Sequence, residues 1–204
     1  MSILRQPACN PKSVLKVKYG KPGEAFLGVV HRLDRPVTGV VLFARTSKSL
    51  TRLTTMFREG NIRKTYWAIV RNRPLQDSGQ LVHYLVRNQA QNKSYCHDAP
   101  RTGARESILE YRVIGMSDNY FLLEINLKTG RHHQIRSQLS HIGCPIKGDL
   151  KYGFPRSNIH GGISLHARMV SFNHPVTHKD VEIIAGLPEE DSLWNAFGVT
   201  RSGP

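Results

Sequence analysis

The chain has 204 residues, 39% apolar and 22% charged, enough for one domain that buries roughly 70% of its unfolded surface without a disulfide or a metal. Its 29 Lys and Arg against 15 Asp and Glu leave a formal charge of +14, a field that favours a polyanion as partner. No apolar run reaches the ~18 residues of a membrane-spanning helix, Met1 to Pro11 carries no secretory signal, and Cys9, Cys96 and Cys144 form no Cys-x-x-Cys pair, so a soluble cytoplasmic protein with inert thiols is expected.

Met1 to Gly23 mixes Pro, Gly, Lys and Asn and is expected to be a loose start. Gly39-Val40-Val41-Leu42-Phe43-Ala44 is a continuous apolar run, which predicts a strand buried on both faces and central in a sheet. Ser47 stands where a cap is needed for a helix whose Leu50, Leu53, Met56 and Phe57 recur at three- and four-residue spacing, with Gly60 just beyond its end. Lys64 to Val70 and Leu81 to Val86 have strand composition. Ile108 to Ile114 and Tyr120 to Leu127 flank the turn-forming Ser117-Asp118-Asn119, predicting a hairpin. A second helix is predicted over Arg131 to Ile142, with Ile135, Leu139 and Ile142 on one stripe, Arg136 at its edge and Gly143 as its stop. Ile163 to Phe172 and Val181 to Ala185 read as later strands. With no internal repeat, residues 1–204 are expected to form a single α+β domain, a mainly antiparallel mixed sheet with flanking helices.

Two polar clusters invite a chemical reading. The first is His31-Arg32-Leu33-Asp34-Arg35-Pro36-Val37-Thr38-Gly39, placed just before the apolar run, where reactive groups tend to sit. Alone, Asp34 between Arg32 and Arg35 reads as a surface ion pair. The second is Lys128-Thr129-Gly130-Arg131-His132-His133-Gln134-Ile135-Arg136, which alone is a basic helix end.

Together these clusters resemble the two best-marked motifs of the pseudouridine synthases that share a His-Arg-Leu-Asp motif and modify ribosomal and transfer RNA. There the first motif continues through two or three variable residues to Ser or Thr and Gly; the second reads Gly-Arg-x-His-Gln-Ile or Leu-Arg. Lys64-Thr65-Tyr66-Trp67-Ala68 resembles the family's Lys-x-Tyr-x-Ala strand. Ile142-Gly143-Cys144-Pro145-Ile146-Lys147-Gly148-Asp149 with Tyr152-Gly153 resembles the segment after the second motif, and Leu165-His166-Ala167 with Phe172-Asn173-His174-Pro175 the closing strand. The resemblance spans about Gly20 to Pro188, in register throughout.

The resemblance implies an isomerase that breaks the N1-glycosidic bond of a uridine, turns the base and rejoins it through C5. Such a reaction needs a nucleophile or base beside the sugar, a pocket for the free base and a means of extracting the nucleotide. By position in the motifs, Asp34 is the nucleophile, whether it attacks the sugar carbon or removes a proton to form a glycal-type intermediate; Arg136 is its guanidinium partner, and Tyr66 is the aromatic that stacks on the base and a candidate for handling the C5 proton. Leu165 lines the pocket floor and Arg32 fills the space of the flipped base. Arg131 and Gln134 are expected at the substrate, and His31 and His133 brace the loop and the helix.

Ten histidines, among them His132, His133, His141, His160 and His166, show no zinc spacing, so no metal is expected. There is no Gly-x-Ser-x-Gly elbow, and Gly20, Gly23 and Gly28 form no phosphate-binding loop, so no cofactor is expected. The family's N-terminal strand and Lys-Pro-x-Gly loop have no counterpart ahead of His31; Tyr19-Gly20-Lys21-Pro22-Gly23 resembles the approach to the motif instead. The expected partner is structured RNA, bound by a monomer through its basic surface.

Overall fold

A computed structural model describes residues 20, 26–159, 161–188 and 191–197; apart from Gly20, the expectations for Met1 to Gly23 lie outside the described residues. The elements run β1 (Gly28–Val29), β2 (Thr38–Gly39), β3 (Phe43–Ala44), α1 (Ser47–Arg58), β4 (Ile62–Val70), β5 (Ser78–Asn88), β6 (Lys93–His97), β7 (Arg105–Met116), β8 (Phe121–Leu127), α2 (Gln134–His141), β9 (Leu165–Asn173) and β10 (Asp180–Ile184). Seven strands form a sheet in the order β10-β9-β4-β8-β7-β5-β6, with β2 added beside β9, and a separate ribbon pairs β1 with β3. Every pairing is antiparallel except β2 with β9. The α+β architecture with an antiparallel sheet is the one expected.

Side chains alternate across a strand, so Ile62, Lys64, Tyr66, Ala68 and Val70 of β4 share one face. At one end of that face Ile62 packs with Val40, Leu42, Val170 and Phe172 under Leu53, Met56 and Phe57 of α1. At the other end Ala68 and Val70 pack with Leu109, Leu123 and Ile125 under Ile135 and Leu139 of α2. The two helices therefore cover the two ends of one face, and the middle, at Lys64 and Tyr66, is left for a cleft. The opposite face is closed by Ile69, Leu122, Leu187 and Trp194.

Three expectations are corrected. The Gly39 to Ala44 run is not one strand: only Thr38–Gly39 pairs with β9 and only Phe43–Ala44 with β1. The Leu42 N–H goes instead to Nε2 of His31, 3.0 Å away, and Val40 and Leu42 serve as core although only the Val40 N–H still reaches β9. Thr46, not Ser47, caps α1, its hydroxyl accepting from Ser49 N and the Ser49 hydroxyl accepting from Thr46 N. The second helix starts at Gln134, because Arg131 and His132 form a turn and His133 adopts a left-handed φ of 53°. Its residues Gln134 to Leu139 are all buried, Arg136 included, in place of the single apolar stripe.

Candidate active site

The loop carrying Asp34 is tied to β9 by its own motif residues. Thr38 pairs with His166 and Gly39 with Ala167, and the Val40 N–H donates to Ala167 O at 2.9 Å. The Thr38 hydroxyl lies 2.7 Å from Nδ1 of His166. Gly39 has a φ of +117°, and a Cβ there would stand 2.3 Å from Ala167 O, so only glycine lets the loop lie this close. His31 closes the loop's other side by its bond to Leu42 N and by stacking on Phe57, 4.7 Å between ring centroids. Asp34 is thereby carried over β9 beside Leu165.

From the other end of the cleft α2 brings Arg136. Its Nε and Nη2 donate to Asp149 at 2.7 and 2.8 Å, a buried bidentate pair, and its Nη1 donates to Asp34 Oδ2 at 3.3 Å. The guanidinium lies over the Tyr152 ring, 5.0 Å from its centroid. His133 Nε2 faces the same Asp34 oxygen at 3.6 Å, and its Nδ1 is 3.0 Å from the Tyr152 hydroxyl. That hydroxyl accepts from Ser94 N, which leaves its own proton for Nδ1, so the hydrogen of a neutral His133 sits on Nε2, toward Asp34. Burial keeps His133 neutral, its pKa lowered to about 4 although Asp34 pulls upward. The left-handed backbone at His133 is a strained geometry of the kind that clusters at functional sites.

Tyr66 projects between the two helices. The register shift between Thr65 and Tyr66 against β9 is a bulge, a device that re-aims side chains beside active sites. Burial, and then the Asp34 charge, push the Tyr66 phenol up to about 12, so it stays protonated at neutral pH. Burial also lowers the pKa of Lys64, two residues away on the same face.

All nine residues singled out from the sequence, His31, Arg32, Asp34, Tyr66, Arg131, His133, Gln134, Arg136 and Leu165, line one cleft of about 1280 Å³. That exceeds the roughly 300–1,000 Å³ of small-molecule pockets and suits part of a polymer. Arg32, Arg58, Arg63, Lys64, Lys128 and Arg131 give its wall a basic character against Glu110 and Glu182. Gln134 lines the cleft and also has a structural part. Its Oε1 accepts from Arg131 N and the Thr129 hydroxyl and its Nε2 donates to Ile108 O, so it holds the turn that precedes α2. Arg131 uses its Nε on Glu106 O and is otherwise exposed. Asp149 and Tyr152 were missed as site residues; the match of Gly148-Asp149 and Tyr152-Gly153 to a family segment was the available signal.

A basic cleft that ends on a carboxylate held by a buried guanidinium defines a class by its geometry: an α+β domain with one oriented carboxylate at the base of a positively charged groove. Comparison with known proteins narrows the class. Residues 10–141 match the family model described as RNA pseudouridylate synthase. The chain is 32% identical to tRNA pseudouridine synthase C of Haemophilus influenzae, over 83% of this chain and 78% of that protein. It is 31% identical to ribosomal large subunit pseudouridine synthase D of Zymomonas mobilis, over 85% of this chain and 57% of that one. Among solved structures, human RNA pseudouridylate synthase domain containing 4 superposes with a TM-score of 0.75 at 24% identity, covering 88% of this chain and 78% of that one, which speaks to the fold. The chain belongs to the RNA pseudouridylate synthase family. It spans about half the length of the relatives it matches from Synechocystis, Chloroflexus and Bacillus subtilis, at 50%, 52% and 53%.

Proposed function

We propose that this protein isomerises uridine to pseudouridine in structured ribosomal or transfer RNA, with Asp34 as nucleophile. The observation that carries the reading is the placement of the Asp34 carboxylate at the base of a basic cleft, held by Arg136 and faced by His133. The cleft cations bind backbone phosphates, and the target nucleotide is extracted from its stack into the groove, with exposed Arg32 taking the vacated space.

The Asp34 carboxylate attacks C1′ of the extracted nucleotide, forming an ester as the C1′–N1 bond breaks and the electron pair leaves with uracil N1. Leu165 supports the free base and Tyr66 stacks on it while it turns. C5 then attacks C1′, which releases Asp34; the C5 proton is lost and N1 is protonated, so substrate and product are isomers. Arg136 returns the carboxylate to the same orientation each cycle. Neither redox change nor energy source is needed, and no metal or cofactor enters the reaction. The region of about 20–188 acts as a single catalytic domain, in a monomer, in the cytoplasm.

The test is tritium release from C5-labelled uridine in bulk cellular RNA, comparing wild type with Asp34→Ala. Release by wild type alone supports the reading. Equal release by both, or release by neither from any RNA class, overturns it, the latter in favour of an RNA-binding relative without turnover.

A further inference from the structure

Behind α2, on the side away from Asp34, four donors of metal-binding type converge from three parts of the chain. His83 is on β5, Cys96 on β6, Asp98 just beyond β6, and His141 is the last residue of α2. The ligand atoms of His83, Cys96 and His141 all lie within 4.8 Å of one another. Both imidazoles turn Nε2 toward the same Asp98 Oδ1, at 2.7 Å from His141 and 3.7 Å from His83. The two rings meet edge to face, centroids 4.9 Å apart. We propose that His83, Cys96, His141 and Asp98 form a structural site for a tetrahedral divalent cation, zinc by the softness of the donors.

Two imidazoles, a thiolate and a carboxylate make a mixed set that suits zinc and is poor for magnesium or calcium, which take oxygen ligands. Bonds of about 2.0–2.3 Å place the corners of a zinc tetrahedron about 3.3–3.8 Å apart, so His83, Cys96 and His141, within 4.8 Å of one another, draw in by at most about 1–1.5 Å, while Asp98 moves out from its 2.7 Å contact with His141. The ion has a way in, since the Asp98 side chain is 81% exposed and that of His141 29%, while His83 forms the buried floor at 10%.

Ligation has a definite proton balance. Cys96 gives its proton to solvent, and the bond to a divalent ion replaces the pull of burial and of Asp98, which hold that proton in the free chain. His83 must carry its ring hydrogen on Nδ1, which is 3.1 Å from the Gln138 amide. The Gln138 amide nitrogen also donates to Leu81 O and Ser107 O at 3.2 and 3.0 Å, so on loading the His83 ring turns its Nδ1–H off this nitrogen. The ion would staple the β5–β6 edge of the sheet to the C-terminus of α2, the helix that carries Arg136 five residues, about 7–8 Å, further back. It takes no part in the reaction and the inference does not depend on the activity proposed above.

The test uses the untagged full chain, stripped with chelator and titrated with Zn²⁺ or Co²⁺. The expected results are one zinc retained per chain after desalting, the visible bands of tetrahedral cobalt with a thiolate charge-transfer band, and a Tm rise of about 5–10 °C at a hundredfold excess over Kd. Cys96→Ser removes the thiolate band, and His141→Ala, a substitution at a partly exposed position, removes stoichiometric retention. A chain that retains no zinc and shows neither bands nor a Tm shift overturns the proposal. Binding that both substitutions leave unchanged overturns it equally.

Discussion

Asp149→Asn probes the support beneath the proposed nucleophile Asp34. Asp149 is 1% exposed and the Arg136 side chain 6%, and the pair is bidentate at 2.7 and 2.8 Å. Asparagine keeps the shape, removes the charge, and sets an N–H group against one guanidinium N–H. Arg136 is then a buried cation whose remaining carboxylate is Asp34, at 3.3 Å and 28% exposed. Removing one partner of a buried pair costs about 3–5 kcal/mol because the other charge stays desolvated. At about 2–4 °C per kcal/mol for a chain of this size, Tm should fall by about 6–20 °C. Turnover per folded molecule should fall as well, since Arg136 loses the contact that aims it. Differential scanning calorimetry measures the first effect and pseudouridine formation below the lowered Tm the second. Asp34→Asn, at the more open end of the same guanidinium, should cost about 1 kcal/mol or less. A Tm change below ~2 °C for Asp149→Asn would refute the view that this pair is dry and oriented.

Further outcomes follow from the same geometry. Burial lowers His31, His133 and His166 to about 4 from 6.5. The unfolded chain therefore takes up more protons than the native one between pH 6.5 and 4, and stability falls as pH drops through that window; a urea midpoint that stays flat from pH 7 to 4.5 contradicts this. Gly39→Ala drives a Cβ into Ala167 O at positive φ and should cost about 3 kcal/mol or more, seen as a lowered urea midpoint, whereas a neutral effect would mean the loop does not rest on β9. With six cleft cations on phosphates, log K against log salt should slope at about −4 to −5 for structured RNA; a slope near zero in a filter-binding series rules out the electrostatic account. Arg32→Ala should raise KM for RNA more than it lowers kcat, and a pure kcat effect would place Arg32 in bond chemistry instead.

Much of the fold was legible because the long strands obey simple patterns. The β7–β8 hairpin is legible from its turn residues, and the β4 and β5 strands from β-branched and aromatic composition. What pattern could not supply is where the backbone hydrogen bonds of a short apolar run go. Val40 to Leu42 looks like a central strand, yet the Leu42 N–H ends on the side chain of His31, 11 residues earlier. The start of α2 was misplaced for a similar reason, since periodicity is blind to a left-handed His133 and to a glutamine that holds the preceding turn.

For the site, the residues named from motif resemblance all meet at one cleft, although Asp34 and Arg136 are 102 residues apart. Their support was less readable. Asp149 and Tyr152 lie in a segment whose resemblance was noticed without a role, and the role appears only once Arg136 is seen to need a buried counter-charge. The His83, Cys96, Asp98 and His141 cluster has no spacing that sequence could flag, because the strand pairing of β5 with β6 and the packing of α2 bring its members together.

The most direct test of the central claim digests RNA to nucleosides after incubation with wild type or Asp34→Asn and counts pseudouridine, with RNA affinity measured on the same preparations. The account expects pseudouridine from wild type, a loss of at least about a thousandfold in Asp34→Asn, and affinities within a few-fold of each other. Pseudouridine from Asp34→Asn at the wild-type rate would contradict it.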